Sequence, residues 1–210
     1  MLRKRDSRWL SYAVLTVVIV CLAAGIASAQ EDFYYLTYYS DARVPGAPSG
    51  TVHIVNPGTA MTRINANGRP LNGNLCADIY VLNNDQQVVE CCGCILTPDS
   101  ERTINIDVNL LGNPDNPGLV TNDGVIKTIS ATPDPGCDPS GDRGAVKPVP
   151  SLRLWATHIQ TRPTGTFAET EEEFETAPLS SNELLNLENQ CSAIFTSGSG
   201  PGVCTCGFGD

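Results

Sequence analysis

Residues 75–96 read LCADIYVLNNDQQVVECCGCIL, and this stretch decides the fold class. Two runs rich in β-branched, aromatic and leucine residues, 75–82 and 87–95, flank a short polar link. Runs of this kind that meet across such a link are typical of a β-hairpin. The stretch also carries four of the nine cysteines of the chain, so its pairing governs where covalent crosslinks can form.

The register of this hairpin sets which residues face its first cysteine. If the loop is the residue pair 84–85, Cys76 falls opposite Gly93. A one-residue bulge would bring Cys76 against Cys92 or Cys94 instead. A disulfide needs Cα atoms within about 7 Å of each other, which both arrangements allow, so the partner of Cys76 stays open.

Further strands are predicted on both sides of the hairpin. In the run 103–110 the alternation of apolar and polar residues is strict, which indicates a half-buried strand with one solvent-exposed face. Other short apolar runs cover 33–39, 51–55, 125–130 and 152–160. Turn-rich stretches separate them, and the spacing resembles an antiparallel sandwich rather than βαβ units. We therefore expect an all-β fold, an antiparallel β-sandwich that is immunoglobulin-like or related.

The first of these strands, residues 33–39, has apolar or aromatic groups on both faces. Such a strand needs cover on both sides, either inside its own sandwich or as a strand donated to a neighbouring subunit. Pairing within the chain needs no partner, so we expect an internal strand.

The C-terminal part predicts one helix and a tail. Ser180 stands three residues before Glu183, which is the spacing of a capping box, and leucines on either side fit a hydrophobic staple. A helix is therefore expected over about 180–195. The tail 197–210 is rich in glycine and poor in apolar groups, so we expect disulfides to pin it. Before the helix, the acidic run 169–175 is typical of a solvated surface segment.

The first 29 residues predict a secretory signal peptide. Basic residues within 3–8 precede an apolar run from Tyr12 to Ile26, and the small residues 27–29 provide a cleavage site. The apolar run is short of the ~20 residues that a spanning helix needs, which favours cleavage over a membrane anchor. We expect a secreted protein, extracellular or periplasmic, with no membrane association after cleavage. Residues 30–210 then form a single disulfide-rich domain.

The charge balance excludes one class of partner. The 210 residues contain 13 Lys and Arg against 23 Asp and Glu. Without residues 1–29, nine basic and 22 acidic residues remain, a net charge of about −13. Proteins that bind nucleic acid meet its phosphates with clustered Lys and Arg, so no nucleic acid is expected as partner. Hydrophobic residues make up 41% of the chain and charged residues 17%, which indicates a folded chain rather than a disordered one.

Eight cysteines remain after cleavage, and an even number in an exported chain predicts four disulfides. They are Cys76, Cys91, Cys92, Cys94, Cys137, Cys191, Cys204 and Cys206. Successive side chains of a strand point to opposite faces, so Cys92 and Cys94 share one face while Cys91 lies on the other. These cysteines must therefore find different partners. The connectivity itself stays open, because eight cysteines allow on the order of a hundred pairings.

Two sets of residues in the chain resemble metal ligands, and each also has a simpler interpretation. The close cysteines suit a thiolate site for zinc or copper(I), because soft metals prefer several close sulfurs. An oxidising compartment and the lack of paired C-x-x-C motifs favour disulfides. Asp134, Asp138 and Asp142 recur in a Pro/Gly-rich loop, which suits calcium, but their spacing does not match an EF-hand and an ordinary polar turn is simpler. No cofactor is expected.

Two histidines, His53 and His158, are the candidates for acid–base chemistry. The chain contains no G-x-S-x-G nucleophile motif to accompany them. His158 shares the parity of the core-facing residues of its predicted strand, so we interpret it as a hydrogen-bonded imidazole at the edge of the core. Trp155 lies on the opposite face with Arg153 and Thr157. That face either forms an exposed aromatic and cationic patch or covers the second side of a sheet.

The segments LCADIYVLNNDQQVVECCGCILTPD, LWATHIQ, CSAIF and GVCTCG resemble a group of uncharacterised exported bacterial proteins that share a C-C-x-C centre. The resemblance spans most of residues 30–210 and implies a small secreted family. It implies no activity, ligand or site residues.

These patterns favour a non-catalytic structural, adhesive or binding protein of the cell exterior. An exported metal- or calcium-binding protein is the main alternative, and a secreted hydrolase is the third. The sequence does not identify a partner: self-association and a cell-surface partner both stay open.

Overall fold

The structure, a computed structural model, describes residues 32–59, 73–133 and 136–207. The predicted signal peptide, residues 1–29, lies outside the described residues, as does Asp134. Within the described residues, no helix combines the length and the apolar character needed to cross a membrane.

Two antiparallel sheets make up most of the described chain. The strands are β1 (Phe33–Tyr39), β2 (Thr51–Asn56), β3 (Leu75–Asn83), β4 (Val88–Leu96), β5 (Ser100–Asn105), β6 (Gly124–Ala131), β7 (Arg153–Thr161), β8 (Phe167–Glu173) and β9 (Glu175–Pro178), and the helix α1 (Ser181–Thr196) follows them. Sheet A has the order β4-β3-β6-β1-β9, and sheet B has the order β5-β2-β7-β8. The predicted antiparallel β-sandwich with a C-terminal helix is confirmed. β1 pairs with β6 and β9 of its own chain, so it is an internal strand.

The sandwich has a third layer on one side. Apolar side chains from both sheets fill the space between them, among them Ile54, Ile79, Ile126 and Leu154. A second apolar cluster lies on the outer face of sheet A, under α1, and includes Tyr80, Ile129, Leu187 and Cys191. Because sheet A is covered on both faces at this point, all nine residues of β3 are buried.

The predicted helix and its cap are confirmed. The backbone N–H of Glu183 donates to Ser180 Oγ at 3.1 Å, which satisfies one of the free donors at the helix N-terminus. Leu187 and Cys191 are fully buried against the outer face of sheet A. Phe195, which the helical periodicity places on the same face, is instead 40% exposed near the end of the helix.

The hairpin of β3 and β4 forms, but its register differs by two residues from the predicted one. The loop has three residues instead of two, and its last residue, Gln86, has a positive φ of 63°. A β-bulge after Val81 adds a second extra residue to β4. Cys76 therefore lies opposite Ile95 and not opposite Gly93 or a neighbouring cysteine. Its disulfide partner must come from another part of the chain.

The prediction of a strand over 103–110 is wrong for the second half of this run. β5 ends at Asn105, and Ile106–Leu110 forms a single π-helical turn. Two asparagine side chains compete with the strand hydrogen bonds: Asn105 Oδ1 accepts from the N–H of Val108, and Asn109 Oδ1 accepts from the N–H of Asn105, both at 2.9 Å. Val108, expected on the apolar face, is consequently 69% exposed.

The acidic side chains of the run 169–175 are exposed, as predicted, and they belong to strands β8 and β9. Phe174 separates these strands. Its side chain is buried, and its backbone N–H donates to the carbonyl of Leu154 at 2.9 Å. The chain therefore passes at this residue from the edge of sheet B to the edge of sheet A, which closes that side of the sandwich.

Candidate functional site

The eight cysteines of residues 30–210 form four disulfides. Bonds join Cys76 to Cys137, Cys91 to Cys191, Cys92 to Cys204 and Cys94 to Cys206. The paired Cα atoms are 5.1 to 5.9 Å apart, within the range that a disulfide needs. The structure thus supplies the connectivity that the sequence leaves open.

Strand β4 carries three of these cysteines and lies at the centre of the pattern. Cys91 points to the outer face of sheet A, where Cys191 of α1 is bonded to it. Cys92 and Cys94 point to the inner face and are bonded to the C-terminal tail. This is the division of faces that strand alternation predicts.

The tail lies along the edge of β4. Its two disulfides both span 112 residues, so the tail runs parallel to the strand. The N–H of Cys91 donates to the carbonyl of Gly202 at 2.9 Å, and the N–H of Cys204 donates to the carbonyl of Cys91 at 3.2 Å. The predicted pinned tail therefore also pairs with this strand, and at Cys91 it occupies an edge that sheet A would otherwise leave open.

Several sulfurs meet at this corner of the molecule. The Sγ atoms of Cys92, Cys94 and Cys206 all lie within 4.8 Å of one another. Among the described residues, this is the only group of three or more His, Cys, Asp or Glu side chains whose ligand atoms come so close. In the oxidised protein the sulfurs are bonded in pairs, so they offer no thiolate to a metal.

A buried carboxyl group lies on the other face of the same strands. Asp78 of β3 is 2% exposed and lies opposite Gly93 of β4. Burial, together with the nearby carboxylates of Asp138 and Glu188, raises the pKa of Asp78 to about 8. Asp78 is therefore mainly protonated at neutral pH.

In the loop that was considered for calcium, the described carboxylates accept hydrogen bonds from other groups of the protein. Asp138 accepts from the backbone N–H groups of Ser140 and Arg143, both at 3.1 Å. Asp142 accepts from the hydroxyl of Ser192 at 2.8 Å. These contacts fit the polar-turn interpretation of the described part of the loop. Asp134, the third predicted member, lies outside the described residues.

His158 occupies the predicted position at the edge of the core. It is 1% exposed, and its ring stacks on that of Tyr38 with centroids 3.9 Å apart. Its Nε2 lies 3.3 Å from Thr37 Oγ1, a hydrogen bond that confirms the predicted role. Burial lowers the pKa of His158, and the carboxylate of Glu172 opposes this effect only in part. Burial therefore favours the neutral form of the imidazole at neutral pH.

The outer face of sheet B carries a second polar surface. His53 of β2 lies opposite Trp155 of β7, and their rings are nearly parallel with centroids 5.3 Å apart. His53 Nδ1 is 3.0 Å from Glu101 Oε1. On the other side of β7, Glu173 lies opposite Trp155, and Glu171 is two residues along the same strand. We call these five residues, His53, Glu101, Trp155, Glu171 and Glu173, the acidic aromatic face.

The structure corrects the character of this surface. Trp155 does share its face with Arg153 and Thr157, as predicted, because all three alternate along β7. The patch is acidic rather than cationic, since β8 places Glu171 and Glu173 beside them. Arg153 itself forms an exposed ion pair with Glu173 at 3.9 Å.

Sequence reasoning missed the buried acids and the pairing of β8. Asp78 and Glu90 both interrupt apolar strands, and a carboxyl group in such a run was the available signal for a buried polar site. Glu90 Oε1 accepts from the N–H of Asn113 at 3.0 Å, and burial raises the pKa of Glu90 to about 7. β8 offered no comparable signal, because its residues lack alternation of apolar and polar groups.

No family model, no curated protein and no solved structure matches this chain. Its function is therefore argued from the residues and their geometry.

Peptide mapping of the protein without reduction tests the connectivity. We expect the mass of four disulfides, eight hydrogens below that of the reduced chain, and crosslinked peptides joining residues 76 to 137, 91 to 191, 92 to 204 and 94 to 206. A peptide that links Cys91 to the tail would contradict the assignment of faces along β4.

Substitution of Asp78 tests its buried, protonated state. The pKa of Asp78 in the folded protein, about 8, lies above the value of about 3.9 for an unfolded chain. The unfolded state therefore loses this proton first, and the stability contributed by the group falls as the pH rises between these two values. Asp78→Asn should unfold at a higher temperature than the wild type at pH 8.5 by circular dichroism, with a difference that shrinks towards pH 5. The exposed Asp85→Asn serves as control, and an equal pH trend in both variants would contradict the assignment.

Proposed function

We propose that this chain is a secreted, disulfide-stabilised and non-catalytic binding protein of the cell exterior, structural or adhesive in role. Its contact surface in this proposal is the acidic aromatic face of sheet B.

The covalent layout of β4 is the observation that carries the proposal. A single strand is bonded on one face to α1 through Cys191 and on the other to the tail through Cys204 and Cys206. Disulfides persist in oxidising compartments, and here they attach the helix and the tail covalently to one strand. Such a layout is suited to a protein that stays folded outside the cell. The signal-peptide pattern of residues 1–29 supports the same location.

The binding role is supported by what the acidic aromatic face presents. Glu101, Glu171 and Glu173 of this face are exposed, and α1 packs on sheet A rather than on sheet B. Trp155 and His53 supply aromatic surface, and Glu101, Glu171 and Glu173 surround them with negative charge. Aromatic rings beside carboxylates favour contact with cationic groups, by charge and by cation–π attraction. A partner with exposed Lys or Arg side chains is the chemistry that suits this face.

A metal-binding function has one observation in its favour, the close approach of the sulfurs of Cys92, Cys94 and Cys206. In the oxidised protein those sulfurs are shared between two disulfides, so the binding role on sheet B is the better supported one.

Expression of the full chain in a Gram-negative host tests export. We expect the product in the periplasm or medium, starting at Gln30, with all eight remaining cysteines oxidised. Val18→Arg interrupts the apolar run and serves as control, because a charge in this run blocks secretion; that variant should stay in the cytoplasm at full length. Full-length wild type with free thiols in the cytoplasm would overturn the proposed location.

Binding of the purified protein to intact cells of its own source organism tests the contact surface. Trp155→Ala should weaken the binding at least about tenfold, because aromatic anchors dominate many interfaces. Leu185→Ala is the matched control, since Leu185 is 55% exposed on α1 and lies away from sheet B. Flow cytometry with labelled protein measures both. Equal binding by wild type and Trp155→Ala would rule out this face.

A further inference from the structure

The two disulfides of the tail hold four sulfurs at one corner of the sandwich. Cys92 and Cys94 are two residues apart on the same face of β4, and Cys204 and Cys206 repeat this spacing in the parallel tail. Three of the four sulfurs already lie within 4.8 Å of one another, and the fourth is bonded to one of these three. Of the other described cysteines, Cys76, Cys91 and Cys191 belong to the cluster on the outer face of sheet A, and Cys137, which lines the same groove as the tail cysteines, is bonded to Cys76.

Both segments are held in place by bonds other than the disulfides. The N–H of Cys91 donates to Gly202 O at 2.9 Å, and the N–H of Thr205 donates to Asn109 O at 2.9 Å. The side chain of Asn109 also donates to the hydroxyl of Thr205 at 2.8 Å. The backbones that carry the four sulfurs therefore have contacts that remain when the sulfurs are reduced.

The spacing of these sulfurs is close to that of a tetrahedral thiolate site. A zinc ion binds thiolates at about 2.3 Å, which separates the sulfurs of a tetrahedron by about 3.8 Å. Cys92 Sγ, now within 4.8 Å of Cys94 Sγ and Cys206 Sγ, needs to approach them by about 1 Å, and the sulfurs of each reduced pair need to move apart to the same separation. Cys204 Sγ lies outside this group and needs to move towards it as well. Rotation about the Cα–Cβ bonds of four side chains supplies movements of this size.

The corner is also accessible from solvent. A surface groove of about 540 Å³ is lined by Cys92, Cys204 and Cys206, together with the exposed side chains of Ile95 and Phe195. Cys206 is the partly exposed member of the four. The Cys94–Cys206 bond therefore has one partly exposed sulfur, as does the Cys76–Cys137 bond, whereas the Cys91–Cys191 bond is fully buried.

We propose that Cys92, Cys94, Cys204 and Cys206 form a tetrathiolate zinc site in the reduced chain, so that the tail is fastened to β4 by two disulfides in oxidising surroundings and by one metal ion in reducing ones. Two molecules of a dithiol reductant give up two electrons and two protons each, become disulfides and leave four thiols on the protein. The zinc ion then displaces the four thiol protons. This inference stands apart from the binding role of sheet B.

The test starts from the purified oxidised protein under nitrogen. A limiting dithiol is added until peptide mapping shows that the bonds of Cys204 and Cys206 are open while Cys91–Cys191 remains, and the same mapping records the state of Cys76–Cys137. Titration with zinc against a chromophoric chelator should give one ion per chain, and the ion should protect four thiols from alkylation. Cobalt(II) in place of zinc should give the visible absorption of tetrahedral cobalt thiolate.

Two double variants make the result specific to these residues. Cys94→Ser with Cys206→Ser removes two ligands and should weaken zinc binding at least about 100-fold, since even the loss of an outer-shell partner costs about 10- to 100-fold. Cys76→Ser with Cys137→Ser should still bind one ion per chain. The alkylation map of the wild type identifies the ligands if this control fails to fold.

Three outcomes would overturn the proposal. One is that the partly reduced wild type binds no zinc. The second is equal affinity in the variant that lacks Cys94 and Cys206. The third is equal affinity of the wild type in urea, which would mean that the cysteines bind zinc without the fold. Failure of export or of cell binding would leave this result unchanged.

Discussion

The structure depends on the alternation of side chains along β4. Because neighbouring residues of a strand point to opposite faces, Cys91 and Cys92 are directed into different layers although they are adjacent in sequence. One strand is thereby bonded to the helix on one side and to the tail on the other. The third cysteine, Cys94, repeats the direction of Cys92 and fixes the tail at a second point, which sets its direction as parallel.

These crosslinks join parts of the chain that are distant in sequence. The four bonds close loops of 61 to 112 residues. In the chain-entropy model a loop of about 100 residues stabilises the fold by about 4.7 kcal/mol, although overlapping loops do not add fully. The gain matters most at the tail, where the described residues offer few apolar groups. The opposite side of the sandwich needs no such bond, because the chain crosses between the sheets at the buried Phe174.

Local patterns predicted the elements of this fold better than their pairing. The cap at Ser180 and the seven predicted strands follow from residues close in sequence, and most of these elements form within a residue or two of the expected bounds. The predicted register of the hairpin was wrong because Gln86, with its positive φ, and the bulge after Val81 each add one residue. Neither feature has a sequence signal as strong as the Asn-Gly pair of a two-residue turn. The partner of Cys76 and the acidic character beside Trp155 both depend on long-range pairing, which no local pattern contains.

The C-C-G-C centre requires glycine at position 93 for a reason that concerns neither metal binding nor a turn. A Cβ atom at Gly93 would lie 2.4 Å from the carbonyl oxygen of Cys137 and 2.9 Å from Asp78 Oδ1. The loop that carries Cys137 therefore approaches the backbone of β4 directly, and only glycine leaves room for it. This approach lets Cys137 reach Cys76 on the neighbouring strand, and it buries the carboxyl group of Asp78 beneath the loop. The four residues of the centre thus serve three contacts: Cys91 is bonded to the helix, Cys92 and Cys94 are bonded to the tail, and Gly93 leaves room for the loop between β6 and β7.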